Sequence, residues 1–160
     1  MSTIFISHSS KDNAAAAELR RRLERDAKHR CVFLDFDPEQ GIVAGDSWEH
    51  TLYRKLRACR VVVAICTDAY LASSWCFAEV ALARMQGKTV ITLRAEGLGP
   101  EATLPSIFEV PQMIDLRTDP EDGYRRLWIA LERQDVLGVS TDWDDRLCPY
   151  LGLDPYEERH

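Results

Sequence analysis

Apolar residues fall along this chain in short bursts of two kinds, and their alternation predicts the architecture. Thr3-Ile4-Phe5-Ile6-Ser7, Cys31-Val32-Phe33-Leu34, Arg60 to Cys66, Thr89 to Leu93 and about Gln112 to Leu116 read as strands. The third of these is apolar without a break from Val61 to Cys66, the pattern of a strand buried on both faces. Between the bursts, apolar residues recur at helical spacing. Ala16, Leu19 and Leu23 line one face of a helix from Asn13 to about Ala27, with Asp12 as its expected cap. Asp46, followed by Glu49, starts a second helix that runs through Ala58. A third runs from Ser74 to Gln86, with Gly87 as its C-cap. Thr118, Pro120 and Glu121 open a last one, which reaches about Val136 and buries Tyr124, Leu127, Trp128 and Leu131. Strands that alternate with helices or loops predict an α/β fold: a five-stranded parallel sheet with helices on both faces.

Such sheets bind ligands at the carboxyl ends of their strands. Three polar clusters should emerge there: His8-Ser9, the loop from Asp35 to Asp46, and the turn from Ser73 to Glu79. The last holds the most telling residue of the chain. On a helix from Ser74, Glu79 shares a face with Trp75 and Leu82, and its neighbours three and four away are Cys76, Leu82, Trp75 and Ala83. A solvated helix glutamate usually has a lysine or arginine at one of these positions. A carboxylate beside an aromatic ring without one is poised to bind a ligand or to hold a proton unusually tightly. The plainer reading is a pairing with an arginine from elsewhere in the fold.

Composition changes this picture little. At 160 residues, 46% hydrophobic and 29% charged, the chain has room for one core and reads as a globular domain. A net charge of −6 argues against a nucleic-acid surface. No apolar run approaches the about 18 residues of a membrane span, and the N-terminus lacks the charged and apolar regions of a signal peptide. Cys31, Cys59, Cys66, Cys76 and Cys148 form no CxxC pair and lie near no histidine at metal-ligand spacing, so no metal site is expected. They read as packed thiols of a cytoplasmic protein. Cys76, in a first helical turn, is the one thiol that the helix dipole could activate, a weak signal without a nearby histidine.

Several familiar motifs are absent. Gly87-Lys88-Thr89 ends a helix and leads into a strand, the reverse of a phosphate loop, and Leu82 stands where the first glycine belongs. No GxGxxG follows the first strand, and no GxSxG elbow exists. A receiver domain would want a carboxylate ending the central strand, which here ends at Cys66-Thr67-Asp68, and no acidic pair follows the first strand.

Three motifs together resemble a known family. Ile4-Phe5-Ile6-Ser7-His8-Ser9-Ser10-Lys11-Asp12 is similar to the opening box of TIR (Toll/interleukin-1 receptor) domains. Val32-Phe33-Leu34-Asp35, with Gly41 and Ala44-Gly45-Asp46-Ser47-Trp48-Glu49, resembles the second strand and BB loop, and Ser74-Trp75-Cys76-Phe77-Ala78-Glu79 the SxWCxxE motif. The likeness spans about residues 2 to 137, which puts a TIR domain at 1–138 and a linker at 139–160. It implies a flavodoxin-like three-layer sandwich and, as in many bacterial and plant members, hydrolysis of NAD+ at the nicotinamide–ribose bond. NAD+ is then a substrate, and no cofactor is implied. The motif glutamate maps onto Glu79 as the catalytic residue. Trp75 and Trp48 would line the nucleotide site, with Ser7, His8 and Ser9 against ribose or phosphate. Gly41, Ala44, Gly45 and Asp46 would serve TIR self-association, the step that activates such enzymes. The plainer readings stay open: both tryptophans could be core anchors, and His8 with Ser9 could merely finish a turn.

The chain departs from its relatives in two places. His8 stands where many have tyrosine, followed by Ser9 and Ser10 instead of basic residues. The BB loop is acidic (Asp37, Glu39), with no Lys or Arg before Arg54. From Ser140 onward acidic residues and prolines crowd a stretch without helical or strand period. Within it, Cys148-Pro149-Tyr150-Leu151-Gly152-Leu153-Asp154-Pro155-Tyr156 resembles the PYxGLxxF run that opens some bacterial STAND-type signalling ATPases. That likeness implies an N-terminal effector with a C-terminal sensor ATPase as partner. An NAD+-consuming effector in signalling or anti-phage defence competes with a non-catalytic TIR adaptor, which self-associates only, and with a module that binds a nucleotide without cleaving it.

Overall fold

The unbroken apolar run is the middle strand of the sheet, and it is buried at every position. A computed structural model describes residues 4–28, 31–34, 56–57, 59–99, 104 and 113–137. Its strands are β1 (Ile4–Ser7), β2 (Val32–Leu34), β3 (Val61–Cys66), β4 (Thr89–Arg94) and β5 (Met113–Asp115). All pair in parallel, in the order β2-β1-β3-β4-β5. This is the flavodoxin-like order, in which the chain winds one way from β1 to β2 and the other way from β3 onward. The switch lies between β1 and β3, where Ser7 stands opposite Ala64 and Ile6 opposite Val63.

The two-residue period of the strands divides the core into two layers. Ile4, Ile6, Val61, Val63, Ile65, Ile91 and Leu93 face α1 (Asn13–Ala27) and α4 (Pro120–Arg133), meeting Ala16, Leu23, Leu127 and Leu131. Phe5, Val62, Ala64, Cys66 and Val90 face the other way, towards α2 (Asp68–Leu71) and α3 (Ser74–Met85), meeting Tyr70, Cys76, Val80 and Ala83. Leu56 joins this second layer. Helices therefore cover both faces, as the sequence pattern predicts.

Local chemistry explains most of the boundaries. α3 ends in a Schellman motif: Gly87 takes φ +75°, its N–H donates to Arg84, and Lys88 N–H reaches back to the Ala83 carbonyl. α4 starts with Pro120 in its first turn and is capped by Asp119, not Thr118, whose carboxylate accepts from Asp122 N–H at 3.1 Å. It stops at Arg133, short of Val136, because Asp135 adopts φ +57°. The expected Asp12 cap needs correction, since its side chain makes no capping bond. Ser9 starts a 3-10 turn over Ser10–Asp12 instead, accepting from Lys11 N–H at 3.2 Å. The helix α2 has no counterpart in the sequence reading.

Of the expected helix from Asp46 to Ala58, only Leu56 and Arg57 lie among the described residues, and both are helical. The 35–46 loop, Trp48 and the 139–160 linker lie outside them. Cys31, Cys59, Cys66 and Cys76 are free and buried. Burial pushes the thiol of Cys31 up to about 11 and that of Cys66 up to about 12, so neither supplies a thiolate at neutral pH. Among the described residues no helix is long and apolar enough to cross a membrane, and no His, Cys, Asp and Glu cluster could hold a metal ion.

Candidate functional site

Alternation along β1 turns Ser7 to the same face as Phe5, towards α3. Ser7 is buried, and its hydroxyl shares a hydrogen bond of 2.8 Å with the phenol of Tyr70. That phenol also lies 3.5 Å from the carbonyl of Cys76, in the first turn of α3. Tyr70 stands there because Thr67 directly follows β3 and caps α2, its hydroxyl oxygen accepting from Tyr70 N–H at 3.1 Å. The same hydroxyl donates to Asp12 Oδ2 at 2.6 Å. One threonine thus ties the end of β3 to the turn after β1, across the switch point. Behind it, Asp68 N–H donates to the Gly97 carbonyl, and Asp68 Oδ1 accepts from Gly99 N–H, each at 3.1 Å. Gly97, at φ +97°, takes a conformation that side chains resist.

Ser73 caps α3, accepting from Cys76 N–H at 3.2 Å. The helix then buries Cys76, Glu79, Val80 and Ala83, neighbours at three and four, against the sheet. Glu79 is only 2% exposed, and Trp75, Ala78 and Leu82 pack half-buried beside it. Burial holds the Tyr70 phenol well above its ordinary pKa, and the nearby Cys76 and Glu79 push in the same direction, against the Ser7 hydrogen bond. Tyr70 is a neutral donor at any physiological pH. Ser7, Tyr70 and Glu79 thus lie in one buried layer beneath the carboxyl edge of β1.

The remaining expected site residues divide. The ring of His8, 2% exposed, turns towards α1, its Nε2 lying 2.8 Å from Asn13 Oδ1. Ser9 is occupied as a cap. Trp75 flanks Glu79, one turn earlier on α3. Trp48, Gly41, Ala44, Gly45 and Asp46 lie outside the described residues. Sequence reasoning missed Tyr70 and Thr67. The available signal was Thr67-Asp68 directly after an apolar strand, the signature of a capped helix start.

A separate cavity of about 350 Å³ opens on the opposite face of the sheet, between α1 and α4. Glu18, Leu19, Thr67, Glu96, Pro120 and Tyr124 line it. The Arg22 guanidinium lies over the Tyr124 ring at 3.7 Å, and the Tyr124 hydroxyl donates to Asp26 at 2.7 Å. The sheet separates this cavity from Glu79.

Comparison with known proteins agrees with this fold. Among solved structures, the TIR domain of the Toll-related receptor TRR-2 from the lower metazoan Hydra magnipapillata matches with a TM-score of 0.61 and 13% identity, over 85% of this chain and 98% of that one. Likeness at that identity speaks for the fold. No curated protein matches the sequence. The family profile described as TIR domain matches residues 4–128, a span that takes in all five strands and the helix bearing Glu79. The chain therefore belongs to the TIR domain family.

Proposed function

We propose that this TIR domain hydrolyses NAD+ at the nicotinamide–ribose bond, with Glu79 as the catalytic carboxylate, and that self-association turns the activity on. One observation carries the reading. Glu79 is 2% exposed in a helical stripe whose other members are Cys76, Val80 and Ala83. Packing alone calls for a leucine there, because a buried carboxylate costs stability that only partners or function offset. The TIR family includes enzymes that cleave NAD+, and in them this motif position is the catalytic glutamate.

The chemistry needs little more than a placed negative charge. As the bond from C1′ to the pyridine nitrogen breaks, its electron pair leaves with nicotinamide, which becomes neutral. Positive charge then spreads over C1′ and the ring oxygen, where a carboxylate stabilises it. Water adds at C1′ and gives up a proton, leaving ADP-ribose; attack by an adenine nitrogen instead gives a cyclic product. Trp75 stands one turn before Glu79 on α3, and Trp48, His8 and Ser9 are the proposed substrate contacts. Because Glu79 is enclosed, substrate reaches it only once its surroundings part, which fits an activity tied to assembly through the segment of Gly41, Ala44, Gly45 and Asp46. A cytoplasmic role in signalling or defence, under a C-terminal sensor ATPase, belongs to the same reading.

A second reading has its own observation. On the outer side of α3, Phe77 is 47% and Met85 82% exposed, apolar surface suited to a protein partner. TIR domains commonly self-associate, and a non-catalytic adaptor needs no more. Concentrated protein incubated with NAD+, with products resolved by chromatography, separates the two. Free nicotinamide supports the enzyme, and intact NAD+ from an associated sample supports the adaptor.

A further inference from the structure

The buried tyrosine of α2 is a titratable group that the proposed chemistry leaves unused. Its hydroxyl meets Ser7 Oγ at 2.8 Å and the Cys76 carbonyl at 3.5 Å, so it touches the end of β1 and the first turn of α3 at once. These two elements bracket Glu79. A phenylalanine would fill the same apolar space among Phe5, Ala64, Cys66 and Val80 without burying a hydroxyl, so packing does not account for the oxygen.

We infer that Tyr70 is a positioning residue: through its hydroxyl it fixes the start of α3, and with it Glu79, against Ser7 at the end of β1. The inference rests on the NAD+-cleaving reading and adds a residue that no motif marks. The phenol, held neutral by burial, keeps its proton across the physiological range. Removing the hydroxyl leaves Ser7 Oγ without that partner and frees α3 to shift relative to β1. A displacement of about 1 Å at a reacting group costs up to about 100-fold in rate, so a loss of about tenfold is expected for a single tie. The loss should fall on kcat with KM little changed, because positioning of the carboxylate matters in the transition state and not in substrate binding.

The test is a double-mutant cycle on NAD+ cleavage under conditions of assembly, with wild type, Tyr70→Phe, Ser7→Ala and the double variant. Tyr70→Phe and Ser7→Ala should each lower kcat by about tenfold, and the double variant should be no slower than the slower single, since either substitution already removes the bond between the two side chains. Wild-type kcat in Tyr70→Phe overturns the inference, as does a double variant in which the losses multiply. A loss confined to KM overturns it too, by assigning the pair to substrate binding. If Tyr70→Phe does not fold, by circular dichroism, Ser7→Ala removes the same bond from the strand side and decides alone. Failure of the underlying reading looks different: wild type itself then leaves NAD+ intact, and the inference falls with it.

Discussion

Replacing Thr67 with valine tests whether the switch point is held as described. The side chain is 3% exposed, and its oxygen serves two elements: it caps α2 through Tyr70 N–H at 3.1 Å and donates to Asp12 Oδ2 at 2.6 Å. Valine keeps the volume and removes both bonds. Loss of a cap costs about 1 kcal/mol. Loss of a hydrogen bond to a charged group costs about 1.5–3 kcal/mol, and the extra buried methyl returns about 0.8 kcal/mol. The net expectation is a loss of about 2–3 kcal/mol. Urea unfolding followed by circular dichroism should show the midpoint falling by about 1 M or more with an unchanged slope. Asp12→Asn keeps an acceptor without the charge and should cost about half as much. The two substitutions together should cost less than their sum, since they share one bond. A midpoint within about 0.2 M of wild type in Thr67→Val would refute the claim that this hydroxyl ties β3 to the turn after β1.

Gly123→Ala should destabilise, although alanine is the better helix former by about 1 kcal/mol. A Cβ there would run into Leu116 Cδ2 and lie 3.1 Å from the Asp115 carbonyl oxygen, and such overpacking costs about 1–3 kcal/mol; a raised Tm would contradict it. Asp115 is held down to about 2 by Arg117, which bonds it through Nε at 3.0 Å and its terminal nitrogen at 2.8 Å. Because the folded value lies below the ordinary 3.8, the pair's stabilisation is whole above that value and is lost as pH falls through about 2. Arg117→Ala should return the Asp115 titration, read by NMR, to the ordinary carboxylate range. Truncation after Val139 should cost about 1 kcal/mol or less, as expected away from core features, and a truncated chain that fails to fold would assign the tail to this domain.

The architecture was legible because its signals are periodic and strong. Val61–Cys66, apolar throughout, announces a strand covered on both sides, and the α1 stripe of Ala16, Leu19 and Leu23 fits no other period. What escaped was non-local or too short to have a period. α2 spans four residues, less than is needed to show an amphipathic face, so neither the helix nor Tyr70 is marked by periodicity. Asp12 is a good cap by local rules, yet its carboxylate accepts from Thr67, 55 residues away, a pairing that no local rule contains. Glu79 stood out for the opposite reason, because the residues around it are wrong for a solvated carboxylate. Its burial on the stripe of Cys76, Val80 and Ala83 follows from that same neighbourhood. The roles of Trp48 and of Gly41, Ala44, Gly45 and Asp46 rest on family likeness alone.

The central claim is that Glu79 is placed for chemistry, and its most direct measurement is nicotinamide release from NAD+ by wild type and Glu79→Gln across a range of protein concentrations. The account predicts that wild type releases nicotinamide with a specific activity that rises with concentration. Glu79→Gln should fold and associate alike but release none. Equal turnover by Glu79→Gln, or intact NAD+ after incubation with concentrated, associated wild type, would contradict it.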